Sequence, residues 1–184
     1  FNILNLITNF FAILLPFSLI GFLVSFFIDL PSFGYIEHPS GVYSTYTNYL
    51  LFIKSSFYNI RFSSIFLEPG HLGMICSYIL FANKFNFKDW RVIVILICSL
   101  FTLSLAAYVL ILIGYLFMLF IWGRITISKI IISSILIGGG YLFATSYNNG
   151  NNYVNEMIIS RLEYDEEKGI RGNNRVYGSF DTHF

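Results

Sequence analysis

The fold is decided by one stretch of sequence, Arg61-Phe62-Ser63-Ser64-Ile65-Phe66-Leu67-Glu68-Pro69-Gly70-His71-Leu72-Gly73. It carries a cation, a carboxylate, a proline and an imidazole, and it runs directly into the apolar residues 74–82. A charged side chain at the start of an apolar helix indicates a functional or structural role, because moving it out of water into a membrane costs at least about 2.5 kcal/mol. We therefore interpret this stretch as one wall of a functional site.

The composition is typical of a polytopic membrane protein. Hydrophobic residues make up 56% of the sequence and charged residues only 11%, which is too little polar surface for a soluble domain. No basic stripe with interleaved aromatic residues is present, so nucleic acid is not an expected partner. The chain begins without Met and stops in a polar loop, so we expect a fragment of a longer protein. Cys76 and Cys98 lie in apolar segments and are predicted to be buried, inert thiols.

About 20 apolar residues cross a bilayer, and this length predicts an all-α membrane bundle with about five spans. They are residues 3–30, ended by Pro31; residues 65–82; two short spans within the uncharged run 92–123, which turn near Thr102-Leu103-Ser104; and residues 125–147. The alternative for residues 92–123 is one long, tilted helix. Pro16 and Gly21 are expected to kink the first span.

The tyrosine-rich loop 30–60 is predicted to lie at the lipid–water boundary. Within it, residues 49–57 are expected to form a short helix lying flat on the membrane, with Lys54 reaching to water. The tyrosines then form a solvated interfacial face, and a sugar-stacking platform is the alternative. Inside the last span, Gly138-Gly139-Gly140 is expected to let another helix approach closely.

Flanking charge predicts the topology, because short basic loops stay in the cytoplasm. The loops at residues 83–91 and 124–129 are basic, so the loop 30–60, the Arg61–Gly73 stretch and the Thr102–Ser104 turn are expected outside. Residues 1–147 thus form a transmembrane helical region. Residues 148–184 form a truncated polar extracytoplasmic loop that starts with an Asn-rich turn. Within it, residues 156–168 form either a solvated, salt-bridged helix or part of the site that contains Arg161.

This topology brings six candidate site residues to one face of the membrane: Arg61, Glu68, His71, Arg161, Arg171 and Arg175. The paired N–H groups of an Arg guanidinium can donate to two phosphate oxygens at once, so such a face suits a lipid diphosphate. Glu68, partly dehydrated at a helix start, suits a general base. In the simpler alternative, Arg61 pairs with Glu68 and caps the helix, and His71 is a hydrogen-bonded histidine near the headgroups. Glu68-Pro69 also fits ordinary helix-start chemistry.

The Arg61–Pro69 stretch resembles the Arg-x-x-x-x-Phe-x-Glu-Pro signature of the O-antigen polymerases (Wzy-type) and related O-antigen ligases. In that family a basic inner loop follows, and then two short helices are joined by a Thr-x-Ser turn, here Thr102 and Ser104. A large outer loop carries an Arg followed by ten residues and Gly, as Arg161 and Gly172 are spaced here. One difference is Leu105, which stands where many relatives have Arg.

The resemblance implies a metal-independent, inverting glycosyltransferase of the bacterial inner membrane that needs no cofactor. Its donor is a glycan on undecaprenyl diphosphate, which a polymerase transfers to the next lipid-linked repeat unit; a chain-length regulator and a flippase are expected partners. Arg61 and Arg161 would hold the diphosphate, and we assign Glu68 as the base. His71, Arg171 and Arg175 are predicted to bind substrate. A ligase and a transporter or flippase of lipid-linked glycans remain alternatives, and a structural membrane subunit is a third class.

Overall fold

The structure, a computed structural model, describes residues 3–37, 45–56, 59–121, 127–159, 164–165 and 169–170. The chain divides into two compact units, Phe1–Gly123 and Arg124–Phe184. Most described residues are helical, in agreement with the predicted class. The elements of the first unit are α1 (Ile3–Val24), β1 (Gly34–Glu37), β2 (Thr45–Asn48), β3 (Ile53–Ser55), α2 (Pro69–Ala82), α3 (Trp90–Leu100) and α4 (Leu105–Ile121).

Helix α1 is the described helix that is long and apolar enough to cross a membrane, whereas α2, α3 and α4 are apolar but shorter. It contains Pro16 and ends at Val24, earlier than the predicted end at Pro31. Hydrogen bonds from Ser25 and from the distant Lys54 accompany this end. The Ser25 hydroxyl donates to the Phe22 carbonyl (2.7 Å), and Lys54 Nζ donates to the Ser25 carbonyl (3.4 Å). Carbonyl groups at the end of the helix thus find partners outside it.

Three helices of the first unit, α1, α3 and α4, pack around α2. The fully buried side chains of this core include Leu15, Phe62, Leu72 and Ile95. Gly73 lets α2 and α4 approach closely, because an added Cβ would lie only 2.3 Å from the Cβ of Ala107. A small residue at the contact is the usual condition for such close packing of apolar helices.

Two helices and a turn occupy residues 90–121, which confirms the predicted break near Thr102–Ser104 and excludes the single long helix. Leu103 has a φ of 44°, a left-handed conformation that cannot continue a helix. The Thr102 hydroxyl donates to the Ser99 carbonyl (2.7 Å) at the end of α3. The Ser104 hydroxyl accepts from the Ala107 amide (3.4 Å) at the start of α4.

A three-stranded antiparallel sheet, in the order β1-β2-β3, follows α1. The predicted helix at residues 49–57 is therefore wrong, and the mostly helical chain also contains a small sheet that the predicted all-α class did not include. β2 and β3 form a hairpin in which Thr47 pairs with Lys54. The Asn48 side chain accepts from the Leu50 amide (2.8 Å) and holds the turn. Thr and Tyr in β2 favour a strand, and Asn favours the turn.

The two ends of this helical unit differ, as the topology predicted. At one end, the loop between α2 and α3 meets the start of α1: Asn83 Nδ2 donates to Thr8 Oγ1 (2.9 Å) and Arg91 donates to Asn9 Oδ1 (2.7 Å). At the other end, the sheet meets the end of α1 through Lys54 and Ser25. The loop 83–91 and the sheet therefore lie at opposite ends of the bundle.

The second unit contains α5 (Ile127–Ser146), a 3-10 turn (Tyr147–Gly150), a π-helical turn (Asn155–Ile159) and a short antiparallel pair, β4 (Tyr164–Asp165) and β5 (Gly169–Ile170). α5 and the Asn-rich turn match the prediction, and Asn152 Nδ2 donates to the carbonyls of Ala144 (2.6 Å) and Tyr147 (2.9 Å). The predicted helix over residues 156–168 is wrong, because β4 begins at Tyr164. Among the described residues, nothing lies within 4 Å of an added Cβ at Gly138, Gly139 or Gly140.

Candidate functional site

Arg61 lies at the sheet end of the bundle, and its accessible fraction is only 8%. Its Nε donates to the Thr102 carbonyl (3.1 Å), and the next backbone amide, Phe62 N, donates to the Phe101 carbonyl (3.0 Å). The stretch that carries Arg61 therefore crosses the turn between α3 and α4. Hydrogen bonds to a charged group are among the stronger ones, so this contact fixes the guanidinium plane.

The two serines after Arg61 tie the same stretch to the sheet and to α1. The Ser63 hydroxyl donates to the Ile53 carbonyl (2.9 Å), and the Ile53 amide donates to the Ser64 carbonyl (2.7 Å). The Ser18 hydroxyl in turn donates to the Ser64 hydroxyl (2.9 Å). Ser64 is fully buried and has a φ of 50°, a conformation that persists only where its surroundings enforce it. Arg61 is thus anchored from three directions.

Glu68 is the residue before α2, in an extended conformation with φ −119° and ψ 134°, and Pro69 occupies the first turn. This confirms the predicted helix start, because the missing amide of Pro is not needed there. The Glu68 side chain does not accept a capping hydrogen bond from the first turn. The part of the simpler alternative that needs Glu68 as a side-chain cap is therefore wrong. The Glu68 carboxyl group is half-buried.

His71 lies in the first turn of α2 and is exposed, and its backbone amide donates to the Glu68 carbonyl oxygen (3.1 Å). Arg61, Glu68 and His71 therefore belong to one continuous segment at the sheet end of the unit. Arg161, Arg171 and Arg175 lie outside the described residues. Their predicted convergence with Arg61 thus remains a prediction.

The Thr102–Ser104 turn faces the start of α2. An added Cβ at Gly70 would lie 3.9 Å from Ser104 Oγ, and one at Gly73 would lie 3.5 Å from Thr102 Oγ1. The segment that starts at Arg61 and the turn that contains Thr102 are thus in contact, although about 40 residues separate them. The two motifs that carry the family resemblance in the first unit therefore meet at one site.

Tyr108 is a site residue that the sequence did not reveal. It lies one turn after Ser104 in α4, and its hydroxyl donates to the Leu100 carbonyl at the end of α3. Ser18 and Ser64 were missed as well. Serine and tyrosine are frequent in apolar helices and loops, so only tertiary contacts distinguish these three. The hydroxyl of Ser18, a small polar group on the apolar helix α1, is the signal in the sequence that could have suggested a contact with the Arg61–Gly73 stretch.

A second polar cluster lies at the opposite end of the bundle. Asp89 caps α3 by accepting from the Arg91 amide (3.0 Å), and it accepts two further bonds from Arg91 Nε (2.9 and 3.0 Å). The hydrogen bond from the Arg91 side chain lowers the pKa of Asp89 below its ordinary value of 3.8. Because Arg91 also reaches Asn9, this cluster joins α3 to α1 and is a structural clamp.

Within the described residues, no group of three or more His, Cys, Asp or Glu side chains is arranged to hold a metal ion. Cys76 and Cys98 are free and buried, as predicted. Comparisons of the chain with protein-family models, with curated proteins and with solved structures give no match.

Proposed function

We propose that this chain catalyses the polymerisation of lipid-linked oligosaccharide repeat units at the outer face of a bacterial inner membrane. The observation that carries the proposal is the burial of Arg61 against the Thr102 carbonyl, beside the helix start at Glu68. A buried cation is expensive, so it is retained where it has a partner or a task. Its fork geometry matches the oxygens of a diphosphate.

The multi-pass membrane location is part of the proposal, and the helix surfaces support it. Large apolar side chains are exposed along whole faces of the helices, as with Phe10, Ile13 and Phe17 on α1 and Ile113 and Phe120 on α4. Apolar surface of this extent suits lipid rather than water. At about 1.5 Å per residue, α1 is about 33 Å long, which matches a hydrocarbon core of about 30 Å.

In the proposed reaction, Glu68 removes the proton from an acceptor sugar hydroxyl as that oxygen attacks the anomeric carbon of the donor glycan. The new glycosidic bond forms while the bond from the anomeric carbon to the diphosphate breaks. The diphosphate leaves with the electron pair, and Arg61 and Arg161 stabilise its charge. Attack opposite the leaving group inverts the anomeric centre. The proton that Glu68 takes is then released to solvent. Neither a metal nor a nucleotide sugar enters this scheme.

The placement of charge favours surface chemistry over transport. Charged side chains of the first unit lie at its two ends: Arg61 and Glu68 at the sheet end, and Lys88, Asp89 and Arg91 at the other. A transporter of lipid-linked glycans would place polar binding groups near the middle of the membrane. Ser77, a buried serine in the interior of α2, donates to a backbone carbonyl of its own helix.

The test is the length distribution of surface polysaccharide in cells that carry Arg61→Ala, Glu68→Gln or Arg161→Ala in the intact protein. We expect each variant to lose long chains at a normal protein level, whereas the control Lys88→Ala, at the opposite end, keeps the full ladder. An unchanged ladder in all three variants would refute the proposed site. Two other results would reassign the function. Polymer that accumulates on its lipid carrier indicates a ligase, and unextended units retained inside the cell indicate a flippase.

A further inference from the structure

The β2–β3 hairpin runs alongside the second half of α1, and β3 follows the same direction as the helix. Lys54 Nζ lies 4.4 Å from the centre of the Phe26 ring, beyond the end of α1. One step closer to the tip, Phe52 stacks edge-on against Phe22 with ring centroids 6.1 Å apart, and it would contact a Cβ at Gly21 (3.0 Å). The tip therefore points towards the middle of α1.

The tip of the hairpin is apolar and exposed. Leu50 is 65% exposed and Leu51 is 43% exposed, and no charge occurs from Asn48 to Ile53. Leu51 also lines an apolar groove of about 320 Å³ together with four α1 side chains: Phe10, Ile13, Leu14 and Phe17. That volume is at the lower end of small-molecule pockets, so the groove fits a segment of one hydrocarbon chain.

Three backbone amides at the tip donate hydrogen bonds within the hairpin rather than to solvent. The Tyr49 amide donates to the Phe52 carbonyl (2.9 Å), the Leu51 amide to the Tyr49 carbonyl (2.9 Å), and the Leu50 amide to the Asn48 side chain (2.8 Å). Non-helical backbone is tolerated at membrane depth only when its polar groups find partners within the protein. These three bonds satisfy the amides of Tyr49, Leu50 and Leu51 within the hairpin.

We propose that the β2–β3 hairpin inserts its Leu50–Leu51 tip among the acyl chains of the outer leaflet and that the groove beside Leu51 holds one of those chains. The occupant is lipid because the groove continues the exposed apolar face of α1. From Ser25 to Phe17, α1 descends about 12 Å, so the tip lies within a hydrocarbon half-layer of about 15 Å. Lys54, at the level of Ser25, extends towards the headgroups.

This inference rests on the membrane location proposed above, but not on the glycosyltransferase activity. Its test uses three single-cysteine variants in a Cys76→Ala/Cys98→Ala background: Leu51→Cys at the tip, Phe17→Cys on α1 and Thr45→Cys at the open end of the hairpin. Each is labelled with a fluorophore and reconstituted into phosphatidylcholine vesicles. Quenching is then measured with lipids brominated along the acyl chain and with aqueous iodide.

We expect the labels at Leu51 and Phe17 to be quenched by brominated lipid, and the label at Thr45 to be quenched several-fold more strongly by iodide. From Thr45 to the turn at Leu50–Leu51 the hairpin spans about 16 Å, so its two ends report different layers. Strong iodide quenching at Leu51, with lipid quenching at Phe17, would overturn the insertion. Protection of Leu51 from both quenchers would overturn the lipid assignment and indicate a protein cover. Absence of lipid quenching at Phe17 would refute the membrane location itself.

Discussion

The close contact between α2 and α4 leads to a quantitative prediction for Gly73→Ala. The added methyl group would lie 2.3 Å from the Cβ of Ala107, against an ordinary carbon–carbon contact of about 3.5–4.0 Å. The two helices must therefore separate by about 1.2–1.7 Å, because both atoms are fixed to helical backbone. Overpacking of this kind costs about 1–3 kcal/mol, and the higher helix propensity of Ala offsets about 1 kcal/mol of that.

The same movement should disturb the candidate site. Thr102 Oγ1 lies 3.5 Å from the position of the new methyl group, and the Thr102 carbonyl holds Arg61 at 3.1 Å. A displacement of more than 1 Å breaks that bond, because hydrogen bonds weaken steeply beyond about 3.2 Å. We expect Gly73→Ala to lower the midpoint of thermal unfolding in detergent and to shorten the polysaccharide ladder.

Two controls make the prediction specific. Ala107→Gly combined with Gly73→Ala moves the methyl group from α4 to α2, so the double variant should recover the midpoint and the ladder. Gly138→Ala, where no described atom lies within 4 Å, should leave both unchanged or raise the midpoint slightly. A Gly73→Ala protein with an unchanged midpoint, or a double variant no better than the single one, would contradict the packing described here.

Four further predictions concern single contacts. Asp89→Ala should lower the free energy of unfolding by about 1 kcal/mol through loss of the α3 cap, and Asp89→Asn, which keeps an acceptor, by less; equal midpoints for the two would refute the cap. The Arg91 bond lowers the pKa of Asp89, so ionised Asp89 stabilises the folded chain above the ordinary pKa of 3.8, and this stabilisation is lost as the pH falls through the lower pKa of the folded state. Acid unfolding curves should show this loss in the wild type and not in Asp89→Asn. Ser18→Ala removes the bond to the buried Ser64 hydroxyl and should cost about 1–3 kcal/mol, which Ser18→Thr should partly restore in the same unfolding assay. Arg61→Lys keeps the charge but not the fork, so we expect a shortened ladder like that of Arg61→Ala.

The helices were predictable because their signals are local. Pro69 after Glu68 predicts a helix start, since a proline ring fits the first turn whatever surrounds it. The break at Leu103 followed from charges on either side of a long apolar run, which required an even number of crossings. The end of α1 was not predictable, because it depends on Lys54, which lies about 30 residues further along the chain.

The sheet and the contacts of the candidate site were not predictable from local pattern. Residues 49–57 have an amphipathic composition that suits either a helix or a strand, and pairing with Gly34–Glu37 and Thr45–Asn48 decides between them. The motif places Arg61 and Glu68 in one segment, seven residues apart. It could not identify Ser18 or Tyr108, because their role arises from distant segments that meet only in the folded bundle.

In the membrane location proposed above, the unequal lengths of the helices bear on how the chain is inserted during synthesis. A nascent α1 can partition into the bilayer unaided, whereas α3, with 11 residues, is too short to remain there alone. α3 would therefore insert together with α4 as a helical hairpin, guided by the α1 already in place. The hydrogen bond from Arg91 to Asn9 joins α3 to α1, so it can form only after these two helices have packed together.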